Sequence, residues 1–465
     1  MGIKIANNEH STIARIAFLL FAILALILQT SCQRDTDSTN HAKSNQISTV
    51  YSDSLLLYRP AYSQFWFDPA VRLFRATYPE IEVIVEDVGF TDSDFAAYSD
   101  RVTTELAVGK GPDIIFTDML YSLDLYKAMD NGVFTDISEL IYQDKSFNRE
   151  KYITTIFDSC LYKGHQYIIP FSFTFNSLVA SQTKLDEIAF DCDMTGDISS
   201  LINEVARCVP TAKTASQSFK WMFSNQQFIE RLFASSGIQL IDYESNSVLP
   251  DKANLYTFCE AYKRYFTYDQ SDNSTVWSAS SEDILSGKIV FTNPTSVIDT
   301  FRDASHLKAE TGDFVAFPIR RFDGDIQFFS HNVAAIREGS PNQVNAYKFI
   351  MILLSADRQS AEVNGLVGYP VLKESLNKEI KLYREEYSSF NTYYSQSSPT
   401  NFTELSDEET QSLLDIILSV KHFSMMQMPL YRLFIDNMTP FFADERGYED
   451  CLNELENKLV IYATE

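Results

Sequence analysis

The sequence has no Gly-x-Ser-x-Gly, no His-Glu-x-x-His and no Gly-x-x-x-x-Gly-Lys. Hydrolase elbows, zincin helices and P-loops are therefore missing in their usual form. Zinc-type Cys/His spacing is missing as well. Basic charge is scarce: 38 Lys and Arg face 63 Asp and Glu, for a formal net charge of -25. Nucleic acid and anionic membrane need basic patches, so neither is expected as a direct partner. The same 63 acidic residues guarantee chance carboxylate pairs, so their number is no support for glycoside chemistry. Cysteine is rare. Beyond Cys32 there are Cys160, Cys192, Cys208, Cys259 and Cys451. This odd number excludes a full disulfide framework. A Cys192–Cys208 bridge stays open as a short loop closure outside the cytosol, and buried free thiols are expected for most of the five. No internal repeat recurs at a fixed period.

Hydrophobic residues make up 45% of the chain and aromatic residues 14%, enough for sizeable cores. The length of 465 residues suggests two or three domain-sized units. Near the N-terminus, Ile16–Leu28 is an uninterrupted apolar run. It falls short of the roughly 20 residues that span a bilayer. With Lys4 and Arg15 before it, it reads as a signal-peptide core, and residues 1–31 as the signal peptide. Gln29-Thr30-Ser31-Cys32 resembles a bacterial lipobox, with Gln29 where an aliphatic residue is usual. That resemblance implies that Cys32 carries lipid. Residues 33–50 are polar and rich in Ser, Thr, Asn and Asp, so 32–53 is expected to be a lipidated Cys and a flexible tether.

The folded part opens with a β-α-β-α-β order. Ser54–Arg59 and Ile81–Asp87 read as strands, and the segment Phe65–Thr77 reads as a helix stopped before Pro79. A second helix starts at Asp92 or Ser93 and runs to Val108. Gly109 to Pro112 break it, and Asp113–Thr117 is a short apolar run of the kind buried on both faces of a parallel sheet. In open α/β sheets, ligands sit outside the carboxyl ends of the strands. That places Thr117, Asp118 and Tyr121 where a ligand would be held.

The stretch GPDIIFTD (111–118) resembles the extracellular solute-binding proteins of ABC importers, in the branch of sugar and maltodextrin binders. NGVFTDISELI (131–141), YKGHQYIIPFSFTFNSLVASQTKL (162–185), ILSGKIVFTNPTSVI (284–298), VAAIREGSPNQVNAYKFIMILLSADRQS (333–360) and NGLVGYPVLKESL (364–376) follow in the family's order. The resemblance covers about residues 54 to 465. It implies an α/β, two-lobe periplasmic-binding-protein-like fold, each lobe a mainly parallel sheet with flanking helices, hinged between lobes. Lobe 1 is expected at 54–165 plus 283–335, and lobe 2 at 166–282 plus 336–465. The implied function is capture of a small solute, an oligosaccharide first of all, for delivery to the membrane subunits of an ABC permease. The protein would be a monomer held by its lipid in the cell envelope, outside the cytoplasm, with no enzymatic activity, cofactor or metal. A surface glycosidase and a non-transporting surface adhesin are the alternatives.

Sugar rings stack on aromatic faces, and their hydroxyls call for carboxylates and amides. Trp66, Tyr121, Trp277 and Tyr369 lie in or near loops at predicted strand ends, and Asp118 and Asn176 are the leading polar candidates. Trp66 could equally sit on the buried face of its helix. Arg59, Asn293 and His331 come next; Arg59 would suit an acidic ligand, and His331 reads rather as a structural histidine. The run DCDMTGD (191–197) starts like an EF-hand loop, but Ile202 stands where the bidentate Glu belongs. A turn capping the next helix is the expected reading. Met425, Met426 and Met428 are read as gap-filling core residues.

Overall fold

The computed structural model describes residues 54–59, 63–87, 92–116, 123–215, 226–266, 281–286, 289–330, 332–359, 368–385, 401–425 and 427–464. The signal segment, Cys32, the tether, Thr117, Asp118, Tyr121, Trp277, His331 and Met426 lie outside them. Among the described residues no helix is long and apolar enough to cross a membrane.

Alternation builds the first layer. In β1 (Ser54–Arg59), Leu55 and Leu57 point to the core. β1 pairs in parallel with β2 (Glu82–Asp87) and with β3 (Ile114–Phe116). The helix Gln64–Thr77 covers this sheet with Phe67, Ala70, Val71 and Phe74, a face repeating at helical spacing. The order of the first sheet is β2-β1-β3-β11-β4, with β4 at Ile168–Pro170 and β11 at Val333–Ile336. β11 runs antiparallel to both neighbours, so the parallel part of this sheet is β2-β1-β3.

The second sheet has the order β12-β5-β10-β13, from Tyr369–Pro370, Ser172–Phe175, Ile326–Phe329 and Val420–Phe423. Here pairing is parallel only between β10 and β13. Two shorter pairs accompany it: β6 (Ser177–Ala180) with β9 (Val315–Pro318), and β7 (Ile241–Asp242) with β8 (Ser247–Val248). Helices 198–215, 226–236, 252–266, 428–442 and 448–464 pack together beside the second sheet, with Phe233, Phe258, Phe434 and Phe442 among their shared core residues.

The chain passes between the sheets at two adjacent places. β4 leads through Phe171 into β5, and β10 leads through Ser330 to Asn332 into β11. The two passages are stitched together. Phe171 N–H donates to Asn332 O at 2.9 Å, Ser330 Oγ to Ser172 O at 2.6 Å, and Asn332 Nδ2 to Ser172 Oγ at 2.7 Å. A third passage lies between Gln359 and Tyr369. Gln359, fully buried, donates to Phe171 O at 2.7 Å and accepts from Val371 N–H at 2.9 Å, tying this passage to the first.

These passages differ from the expected boundaries. β9 and β10, expected with the first lobe, pair with β6 and β5. The helix Gln343–Leu353, expected with the second, sets Phe349 against Phe67, Phe74 and Phe116 under the first sheet. Strand partners are chosen by long-range pairing, which a local turn signal near 287 does not disclose.

Candidate ligand-binding site

β1 ends at Arg59 and β3 at Phe116, and the crevice outside this carboxyl edge is where topology puts a ligand. Arg59 is already engaged. It donates through Nε to Asp87 Oδ1 at 2.7 Å and through Nη1 to Asp68 Oδ2 at 3.0 Å. Two carboxylates hold its charge in place, so it is not a cation waiting for an acidic ligand. The chain beyond Phe116 is described again from Leu123. Asp124 caps the helix Leu125–Asp130, accepting from the N–H groups of Tyr126 at 3.0 Å and Lys127 at 3.1 Å.

At the far end of β5, where the chain enters β6, two residues singled out in the sequence meet. Asn176 sits between β5 and β6 and is 1% exposed. Its Nδ2 donates to Ser235 Oγ at 2.6 Å and to Arg231 O at 3.2 Å, and its Oδ1 accepts from Asn293 Nδ2 at 3.2 Å. The Asn176 amide is thus fully engaged in holding the helix Gln226–Ser236 and Asn293 to the turn from β5 to β6. Asn293 is partly exposed, and its Oδ1 is a buried acceptor with no hydrogen-bond partner among the described residues. A buried acceptor without a donor carries a desolvation cost that a ligand hydroxyl would relieve.

Two expected aromatic contacts are core residues instead. Trp66 is 4% exposed and packs against Phe116 and Phe171 at ring distances of 5.3 and 5.1 Å. It falls on the sheet-facing side of its helix, one position before Phe67. Tyr369 is fully buried between Phe173 and Phe175, each 5.4 Å away, with its hydroxyl 2.8 Å from Thr300 Oγ1. The turn that delivers it is tight: Gly368 has φ +106°, and a Cβ there would lie 2.4 Å from Phe173 O.

Sequence reasoning passed over a different group. Asp124 Oδ2 accepts hydrogen bonds from the hydroxyls of Tyr243 and Tyr462, the latter at 2.9 Å. Tyr126 stacks on Tyr243 at 5.0 Å, and Lys127 Nζ lies 4.0 Å over the Tyr462 ring. Burial and the Asp124 charge push both phenols well above their ordinary range. No local motif announces residues so far apart in sequence.

Among the described residues one group has metal-type ligand atoms within reach of each other, Asp323, Asp325 and His422. Arg321 Nη2 donates to Asp323 at 2.8 Å, and Lys421 Nζ to Asp325 at 2.6 Å. Both carboxylate charges are thereby matched, and a cation would have to displace two side chains. The run 191–197 behaves as a turn: Asp197 accepts from the N–H groups of Ser199 and Ser200 at 2.8 and 3.0 Å and starts the helix Ile198–Ala215. The five cysteines after Cys32 are free thiols, four of them buried.

Comparison with known proteins agrees with this architecture. The chain is similar in fold to the sugar-binding protein MalE from the phytopathogen Xanthomonas citri, at 13% identity and TM-score 0.59, over 88% of this chain and 97% of that one. Maltose-bound T. maritima MalE3 matches at 16% identity and TM-score 0.56, over 88% and 99%. The GacH receptor of Streptomyces glaucescens, solved unliganded and with acarbose, matches at 14% identity and TM-score 0.54, over 88% and 98%. At these identities the likeness establishes the fold, a two-lobe periplasmic-binding-protein type. No curated protein matches the chain. The family described as bacterial extracellular solute-binding protein matches residues 60–360. With two sheets joined at a stitched set of passages and that match over most of the chain, the protein belongs to the bacterial extracellular solute-binding protein family.

Proposed function

We propose that this chain captures an oligosaccharide between its lobes and presents it to an ABC permease, while Cys32 anchors it to the membrane by lipid. The observation that carries the binding reading is Asn293 Oδ1, buried and without a partner among the described residues, beside the turn from β5 to β6. It is a fixed acceptor, held by Asn176, suited to a sugar hydroxyl. By their own descriptions the Xanthomonas citri neighbour is a sugar-binding protein, the T. maritima one is maltose-bound and the GacH receptor is complexed with acarbose, which supports a saccharide here. Thr117, Asp118 and Tyr121, which follow β3 in the sequence, would complete the first wall. Trp277 would stack on a sugar ring from the second lobe. Closure of the lobes around the ligand would change the outer surface that a permease reads.

A glycan panel tests this directly. Stoichiometric binding without turnover is the expected result, and a ligand at 100 times its Kd should add about 2.7 kcal/mol to stability. Hydrolysis of any glycan would overturn the binder in favour of a surface glycosidase. Asn293→Ala should weaken saccharide affinity by about two- to tenfold in calorimetry, the value of one neutral hydrogen bond, with little change in Tm. Unchanged affinity would remove Asn293 from the site. Cys32→Ser should release the protein to a soluble fraction or leave the precursor uncleaved; a variant that stays processed and membrane-bound would refute the anchor.

A further inference from the structure

Asp124 stands at a junction of three remote segments. Its own helix, Leu125–Asp130, belongs to the first lobe. At the far end of that helix, Asp130 accepts from Tyr162 at 2.9 Å and pairs with Lys163 at 2.6 Å. The chain after it joins β11 of the first sheet, through Thr135 N–H to Ile336 O at 2.9 Å and Glu338 N–H to Val133 O at 2.8 Å. The two phenols come from the other side. Tyr243 follows β7 in the β7–β8 hairpin. Tyr462 lies in the last helix, Tyr448–Thr464, which packs on Met428–Phe442 and on β8. These contacts thus join a helix of the first lobe to two separate elements of the second.

We propose that Asp124 is a latch: its carboxylate, gripped by Tyr243 and Tyr462, holds the two lobes closed and so positions the cleft for ligand. The proposal rests on the hinged reading above, but it concerns the chain without ligand. One oxygen, Oδ2, takes both phenolic hydroxyls, while Oδ1 caps its own helix. The carboxylate is 7% exposed, so the hydroxyls are its hydrogen-bonding solvent on that side. Lys127 adds a second tie, donating through Nζ to Tyr462 O. Tyr126 stacks against Tyr243, so the start of the helix meets the second lobe through Asp124, Tyr126 and Lys127. A movement of the lobes that parts these segments would separate all of these groups. A charge-assisted hydrogen bond weights an equilibrium by roughly ten- to a hundredfold, so its loss shifts the balance toward the open form by that factor.

The test uses the full chain without ligand. Asp124→Asn keeps a good helix cap and removes the charge; the Tyr243→Phe/Tyr462→Phe double variant keeps both rings and removes the hydroxyls. In each, amide hydrogen exchange over 125–130 and 448–462 should speed up by at least about tenfold, and the radius of gyration from X-ray scattering should rise. Combining the variants should add little to either, because they remove the same contacts. Faster exchange with an unchanged radius of gyration would show local fraying and overturn the latch. Wild-type exchange and radius in both variants would leave Asp124 as a helix cap only and overturn it too. If no glycan binds, the saccharide reading fails while these ligand-free readouts still decide the latch.

Discussion

Asp113→Ala is expected to lower stability by about 3–5 kcal/mol, the range for removing one partner from a buried ionic network. Asp113 is 2% exposed and ties three strands of the first sheet. Its Oδ2 accepts from Leu56 N–H of β1 at 2.7 Å and from Asn342 Nδ2 at 2.9 Å, and its Oδ1 accepts from Ser340 Oγ at 2.6 Å. Arg337, just past β11, stands 3.5 Å away and also donates to Pro112 O at 3.1 Å and Gly109 O at 3.0 Å. Alanine would strand the Leu56 N–H and leave Arg337 without its countercharge in a dry place. Asp113→Asn should fall in the same direction by less, since the amide keeps one acceptor but turns donors toward donors. Urea denaturation of both variants measures the loss; a change below about 1 kcal/mol for alanine would mean water replaces the carboxylate and the network is not structural.

Glu379→Gln should change how stability depends on pH. Glu379 lies in the helix Lys373–Glu385, 7% exposed, with burial pushing its carboxyl up to about 8 from an ordinary 4.5. The folded chain therefore holds this proton more tightly than the unfolded chain does. Between pH 4.5 and 8 the folded state binds more protons, so its stability falls as pH rises through that window. A shift of this size corresponds to about 5 kcal/mol between the two ends of the window. Glutamine resembles the protonated acid and cannot ionise, so the variant should keep its stability to pH 8 and be the more stable protein there. Asp303, fully enclosed and raised to about 6 chiefly by burial, has the same sign and remains in the variant. Its part of the decline should be confined to roughly pH 4 to 6. Thermal unfolding from pH 5 to 8 compares the two proteins. Parallel curves would show that Glu379 finds solvent or a partner when charged.

Much of the first layer is readable from residues alone. Leu55 and Leu57 alternate, the helix face around Phe67 repeats at helical spacing, and Gly109 to Pro112 mark the break before β3. These are local signals with local causes. Trp66 and Tyr369 show where such signals end. Both lie near strand ends, as expected of cleft aromatics, yet what decides their role is side-chain direction, set by neighbours such as Phe171 and Phe175. Asn176 and Asn293 are each visible as polar candidates, but their pairing is not, because 117 residues separate them. The Asp124 group is invisible for the same reason, since Asp124 and Tyr462 stand 338 positions apart. The boundaries of the lobes follow the same rule: β9 and β10 choose their partners across the fold, not from the adjoining sequence.

The insertion of β11 between β3 and β4 sets the order in which the chain folds. Until Val333–Ile336 has been made, β3 and β4 each present an unpaired edge. The Asp113 network likewise waits for Ser340, 227 residues downstream. The first lobe is therefore not complete when its own N-terminal strands emerge from the ribosome, even though β1, β2 and β3 are made early. High sequence separation slows such closure, because the loop entropy is met before the contacts form. A nascent chain ending before residue 333 should consequently remain protease-sensitive in its first 170 residues, and protection should appear only after β11 is added. The first lobe thus stays unfinished until late in synthesis, a state in which that part of the chain can still be threaded through a narrow channel.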